Sequence, residues 1–152
     1  MSYTNVEARQ QILDALAAAT EHLARAVSSL SAAYEQLDEQ QADALEAELF
    51  RPVQLAYGRA QRTHSGFADR HGLERRVFTV PTAEAPSTGV RGYVEHAVDA
   101  VGAADQELVA LQDSLMPIEV GDPELRAGLS EVRQLMDGLP LRAREFLRVL
   151  GR

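Results

Sequence analysis

Between Arg51 and Arg76 the chain reads RPVQLAYGRAQRTHSGFADRHGLERR, two histidines and six arginines within one run of helical periodicity. Imidazole can take or give a proton near neutrality and can ligate a metal. Guanidinium grips phosphate and carboxylate through paired N–H donors. Val53, Ala56, Ala60, His64, Phe67 and His71 recur at spacings of 3, 4, 4, 3 and 4, which is one helix face. Both histidines should therefore point inward, two turns apart. With Tyr57 on the flank, Tyr57, His64, Phe67 and His71 would line a pocket. Arg59, Arg62, Arg70, Arg75, Arg76 and, from a later helix, Arg91 would draw an anionic small molecule such as phosphate to it. The competing reading is two packed histidines, each with one hydrogen bond.

Other chemistries find less support. The chain has no cysteine, which excludes disulfides, thiol nucleophiles and thiolate zinc sites. A ferritin-like di-metal centre needs Glu-x-x-His pairs. The residues three before His22, His64, His71 and His96 are Ala19, Gln61, Ala68 and Tyr93. His22 and His96 fall two positions after the stripe residues Thr20 and Val94, on the expected solvent side of their helices. A metal-binding bundle is thus the weakest alternative, and no metal or cofactor is expected. All 15 basic residues are arginine, so a Walker lysine is absent, and no serine elbow occurs. No catalytic residue is assigned, and an enzyme is disfavoured.

The elements that must hold these side chains are helices. A first helix from about Asn5 to Leu37 carries Val6, Leu13, Thr20, Val27 and Tyr34 in one heptad row and Leu16, Leu23, Leu30 and Leu37 in the other. A second runs from about Gln41 to His71, kinked near Pro52 and closed by Gly72. A long loop, 73–88, carries Pro81 and Pro86, with Val77 to Val80 as a brief extended piece. A third helix, capped by Ser87 or Thr88, has the stripe Val94, Ala97, Val101, Ala104, Leu108, Leu111, Leu115 and Ile118. Asp122 and Pro123 open a fourth, which Asp137-Gly138-Leu139-Pro140 should kink or split. These patterns predict an all-α single domain over 1–152: an antiparallel up-down-up-down four-helix bundle with kinks near Pro52 and Pro140. At 152 residues it can bury a core without staples.

Charge is unevenly distributed along this order. Residues 1–50 hold two arginines against nine acids, and residues 77–137 hold three against eleven. Residues 51–76 hold six arginines against two acids, and residues 138–152 hold four against one. In an alternating bundle the second halves of helices 2 and 4 share an end, so a basic pole opposite an acidic pole is expected. The net charge of -8 disfavours nucleic acid as a partner. No apolar run reaches membrane-spanning length and no signal peptide is apparent, so a cytoplasmic protein is expected. Val109, Ala110 and Met116, with Leu135, Leu141, Leu147 and Val149, lie beyond the main stripes and exceed what one seam needs. The leading functional expectation is therefore non-enzymatic protein–protein association, as a homodimer or with another chain, ahead of an anionic-ligand site at the basic pole.

Overall fold

A computed structural model of the chain describes residues 2–86 and 88–151, which are α-helical with intervening turns and one long connection. The elements are α1 (Ser2–Glu35), α2 (Glu39–Leu45), α3 (Arg51–Arg70), α4 (Val90–Asp113), α5 (Met116–Glu119), α6 (Pro123–Met136) and α7 (Leu139–Leu150). No strand occurs among the described residues, Val77 to Val80 included.

Alanine-rich and free of glycine and proline, α1 has every local reason to stay helical. Ile12, Leu13, Leu16, Ala19, Leu23, Ala26, Leu30 and Ala33 are buried along it. The strict heptad row does not hold at its ends, where Val6 and Tyr34 are exposed. A straight helix drifts by about 20° per heptad from a 3.5-residue repeat, so positions seven apart leave the seam after a few turns. Thr20 stays buried because its hydroxyl donates to the Leu16 carbonyl at 2.7 Å.

Asp38 caps α2, its carboxylate accepting from the Gln41 amide at 2.8 Å. Where the sequence predicts a kink before Pro52, the chain carries a single π-helical turn, Glu46–Phe50, and the Arg51 amide reaches back five residues to the Glu46 carbonyl. Proline lacks the donor that would restore the ordinary register, so the wide turn and Pro52 at the start of α3 are consistent neighbours. The far end closes as the sequence implies. Gly72 is left-handed (φ 66°), and the Leu73 amide donates to the Ala68 carbonyl at 2.8 Å.

Two helix boundaries differ from expectation. The α4 helix begins at Val90 behind Gly89 with no side-chain cap; Thr88 is a turn residue and Ser87 lies outside the described residues. It also ends earlier, at Asp113, because Leu115 adopts the left-handed conformation (φ 65°) and the chain restarts as α5. Leu115 and Ile118 consequently stand exposed instead of completing the stripe. The fourth helical segment splits outright: Asp137 is extended, Gly138 is left-handed (φ 74°), and α7 starts afresh with Pro140 in its first turn.

The alternating direction does not hold. The long connection does not cross the near end; it runs back along α1, as Arg76 pairs with Glu21, Ser28 Oγ donates to the Pro81 carbonyl at 2.6 Å, and Gly89 reaches Gln36. It therefore delivers Val90 to the C-terminal end of α1. The other end of the pairing agrees, since Arg9 near the start of α1 donates to the Val120 carbonyl beyond α4 at 2.9 Å. So α4 runs antiparallel to α1 and in the same sense as α3. Meanwhile α6 opposes α3, from Arg70 on Asp122 to Arg59 on Glu131. The principal seams are α1 along α4 and α3 along α6, joined through α1 and α3. At the α3–α6 crossing a Cβ on Gly128 would lie 2.3 Å from Thr63 Oγ1, so only glycine admits this approach.

Candidate functional site

The stripe of α3 buries Val53, Ala56, Ala60, His64 and Phe67 as its spacing requires, and His71 caps the helix half-buried. The two histidines have different surroundings. His71 Nε2 lies 2.9 Å from Asp122 Oδ2, and its ring is tilted over Phe67 at 4.4 Å between centroids. Asp122 is the hub of this corner. It caps α6 by accepting from the Leu125 amide at 2.7 Å and takes both Nε and Nη2 of Arg70 at 2.8 and 2.9 Å. Burial opposes its ionisation, but the bonds from Arg70, the Leu125 amide and His71 outweigh that and hold the carboxyl far below the usual carboxylate range.

His64, only 3% exposed, points elsewhere. Its Nδ1 is buried without a hydrogen-bond partner among the described residues, and its ring meets Phe78 of the long connection edge-on at 5.3 Å. Burial pushes its pKa below 6.5, Arg76 pushes in the same direction, and Asp14 on α1 opposes them. Tyr57 is half-buried, and desolvation raises its phenol pKa. Thus Tyr57, His64, Phe67 and His71 share a helix, but each histidine is engaged with a different part of the chain.

The arginines do not converge on an open anion site. Arg59 donates to Glu131 at 2.7 Å, Arg70 is gripped by Asp122 with Glu124 also 3.0 Å away, Arg75 pairs with Asp69, and Arg76 with Glu21. Arg62 is exposed, its guanidinium folded back toward Gly58. Arg91 sits beside Glu95 at the opposite end, where α4 begins against the end of α1. The basic pole inferred from segment charges dissolves for the same reason as the alternating direction. The C-terminal half of α3 meets the N-terminus of α6, whereas α7 packs near α2 and the π turn, at the other end.

Among the described residues, clefts lie outside the stripe of α3, three of them between packed elements. One of about 520 Å³ separates α2 from α7 and is lined by Ala44, Phe146, Val149 and Leu150 between Asp38, Glu48 and Arg142. Another, about 480 Å³, lies between α1, α4 and the connection, and both His22 and His96 line it with Arg25 and Asp99. His96 is exposed and His22 half-buried, on the solvent side of their helices as counting from the stripe implies, and the antiparallel pairing of α1 with α4 brings both to one surface cleft. His22 Nδ1 accepts from Arg25, and burial followed by Arg25 lowers its pKa against the pull of Glu107 and Glu21. A third, about 470 Å³, runs between α4 and α6, where Arg133 ties Asp105 to Gln112. Among the described residues no group of three or more histidines, aspartates or glutamates is placed to hold a metal, and no helix is long and apolar enough to cross a membrane. Comparison with family models, with curated proteins and with solved structures finds no match for this chain.

Proposed function

We propose that α1, α2–α3, α4 and α6–α7 are the four members of a helical bundle that acts without catalysis, through protein–protein association, as a homodimer. The observation that carries this reading is the face formed by α2 and α7. Its groove has an apolar lining in Ala44, Phe146, Val149 and Leu150, and Leu141 and Val149 are 66% and 55% exposed on the adjoining surface of α7. Exposed apolar side chains gathered beside an apolar groove mark association surfaces more often than scattered ones do. The flanking charges favour a second copy of the chain. Glu39, Asp43, Glu46 and Glu48 make α2 and its π turn acidic, while Arg142, Arg144 and Arg148 make α7 basic. An acidic row beside a basic row is self-complementary under a two-fold axis, which sets each α7 against the partner's α2.

An anionic-ligand site is less well supported, because Arg59, Arg70, Arg75, Arg76 and Arg91 each face a carboxylate of the same chain. Sedimentation velocity over a range of protein concentrations tests the proposal. A dimer that Leu141→Glu and Val149→Glu dissociate, with helical circular dichroism unchanged, is the expected result. A monomer at every concentration, or a dimer indifferent to both substitutions, overturns it.

A further inference from the structure

Residues 73–86 form a strap one layer thick over α1 and α3. Leu73 and Ala83 pack against the core and Arg75 pairs with Asp69, and the remaining attachments can be named. Arg76 pairs with Glu21, Ser28 Oγ donates to the Pro81 carbonyl at 2.6 Å, and Pro86 fills the space left by the missing Cβ of Gly92. Between them Phe78 closes over His64 edge-on, and the Arg76 guanidinium lies 5.6 Å from the Phe78 ring centroid. Val77 beside it is 88% exposed, so the strap has nothing above it. The element beneath the lid is thus a buried imidazole whose Nδ1 has no partner among the described residues.

We propose that this strap is an acid-released latch: it stays closed while His64 is neutral and opens when His64 takes a proton. Neutral imidazole fits an apolar seat under a phenyl edge. Imidazolium does not, because its second N–H would be buried without an acceptor. Of the charged groups facing it, Arg76 from the strap repels the cation, whereas Asp14 from α1 attracts it; Glu21 is engaged by Arg76. Opening the strap lets water reach the ring and carries Arg76 away, so it removes both the burial and the repulsion. Seated, His64 has a pKa below 6.5, and opening returns it toward that value. The open-to-closed ratio is therefore flat above about pH 6.5 and rises as pH falls, by up to about tenfold per pH unit until the closed-state pKa is passed.

The absence of cysteine makes the test direct. Val80→Cys, on the outer side of the strap, takes a single nitroxide, and Gln106→Cys on α4 reports on the body of the fold. Electron paramagnetic resonance spectra are recorded from about pH 8 to about pH 5, the range in which imidazole changes charge. The expected result is a growing mobile fraction at position 80 below about pH 6.5, with position 106 unchanged. In a His64→Phe background, or His64→Gln should the first fail to fold, the label at position 80 stays immobile throughout. Asp14→Asn lowers the seated pKa further, so it leaves the onset in place and lets the mobile fraction go on rising to lower pH. A strap label that keeps one mobility down to pH 5, loosens equally without His64, or loosens only together with position 106 overturns the proposal. None of these readouts depends on whether the chain dimerises.

Discussion

Removing the Asp122 carboxylate should be among the most damaging single changes to a side chain at this protein's surface. Three groups lose their acceptor at once in Asp122→Ala: the Leu125 amide at the start of α6, the Arg70 guanidinium and the His71 ring. Loss of an N-cap costs about 1 kcal/mol. The Arg70 pair is one-third exposed on the arginine side, so it is taken at the surface value of about 0.5 kcal/mol. His71, whose side chain is 17% exposed, is left with an unpaired ring nitrogen at a cost of about 1–2 kcal/mol. The total is about 2–4 kcal/mol. Asp122→Asn separates these contributions, since asparagine caps as well as aspartate but carries no charge, and should lose only about 1 kcal/mol. Urea denaturation followed by helical circular dichroism at neutral pH measures both. The sign of the pH dependence follows from the direction of the shift. A carboxyl with a folded pKa below its unfolded value stabilises fully above the unfolded value, about 3.9, and loses that contribution as pH falls through the folded one. The wild-type protein should therefore approach the stability of the Asn variant only in acid, below about pH 4. Alanine and asparagine variants equal within about 0.5 kcal/mol at neutral pH would refute the capping argument, and wild-type stability in both would refute the hub itself.

Two further expectations concern backbone approach and conformation. Gly128→Ala places a methyl against Thr63 and should cost about 1–3 kcal/mol, much of it recovered in the Thr63→Ala double variant; a cost within about 0.3 kcal/mol of zero would mean that α3 and α6 separate freely. Leu115→Asn should raise stability by about 0.5–1 kcal/mol, because leucine is strained at a φ of 65° that asparagine tolerates and its side chain is half in solvent already; a loss above about 1 kcal/mol would assign Leu115 packing that its exposure does not suggest. Thermal or urea unfolding of each variant is the measurement.

What periodicity and caps encode was readable in advance, because these are local properties. The α3 stripe, the Gly72 closure, Asp122 with Pro123 at the start of α6 and the break at Asp137-Gly138 all lie within a few residues of the feature they specify. The early end of α4 was not readable. Leu115 itself is not a residue that favours the left-handed region, and an unbroken 3, 4 pattern continued through it to Ile118, past the point where α4 stops. For the candidate site, the burial of His64 and Phe67 was legible from spacing, but the partners of His64 and His71 were not. Phe78 arrives from the strap, Asp122 comes from a helix 51 residues away, and neither distance is written in a stripe.

One connection accounts for the misplaced poles. Residues 73–89 can span about 56 Å at full extension, whereas the 24 residues of α4 are about 36 Å long. A link that long can reach either end of its neighbours, so the direction of α4 is free of loop geometry and must be settled by what the strap finds on its way. It finds Glu21 for Arg76, the His64 ring on α3 for Phe78 and Ser28 for the Pro81 carbonyl, and the two anchors on α1 follow in order toward its C-terminal end. Those anchors turn α4 antiparallel to α1, bring α7 beside the acidic α2 and set the arginines of α3 among the acids that open α6. The segment charges are the same under either direction; what changes is that opposite charges meet within the chain instead of collecting at its ends. Deleting 82–85, which removes Ala83 from its place against the core and the chain between the Pro81 anchor on Ser28 and the start of α4, should therefore disturb the whole helical order and not merely a surface loop. Loss of cooperative unfolding in that deletion, with Asp122→Asn as the locally destabilised control, is the expected outcome, and an unaltered urea midpoint would show that α4 finds its direction without the strap.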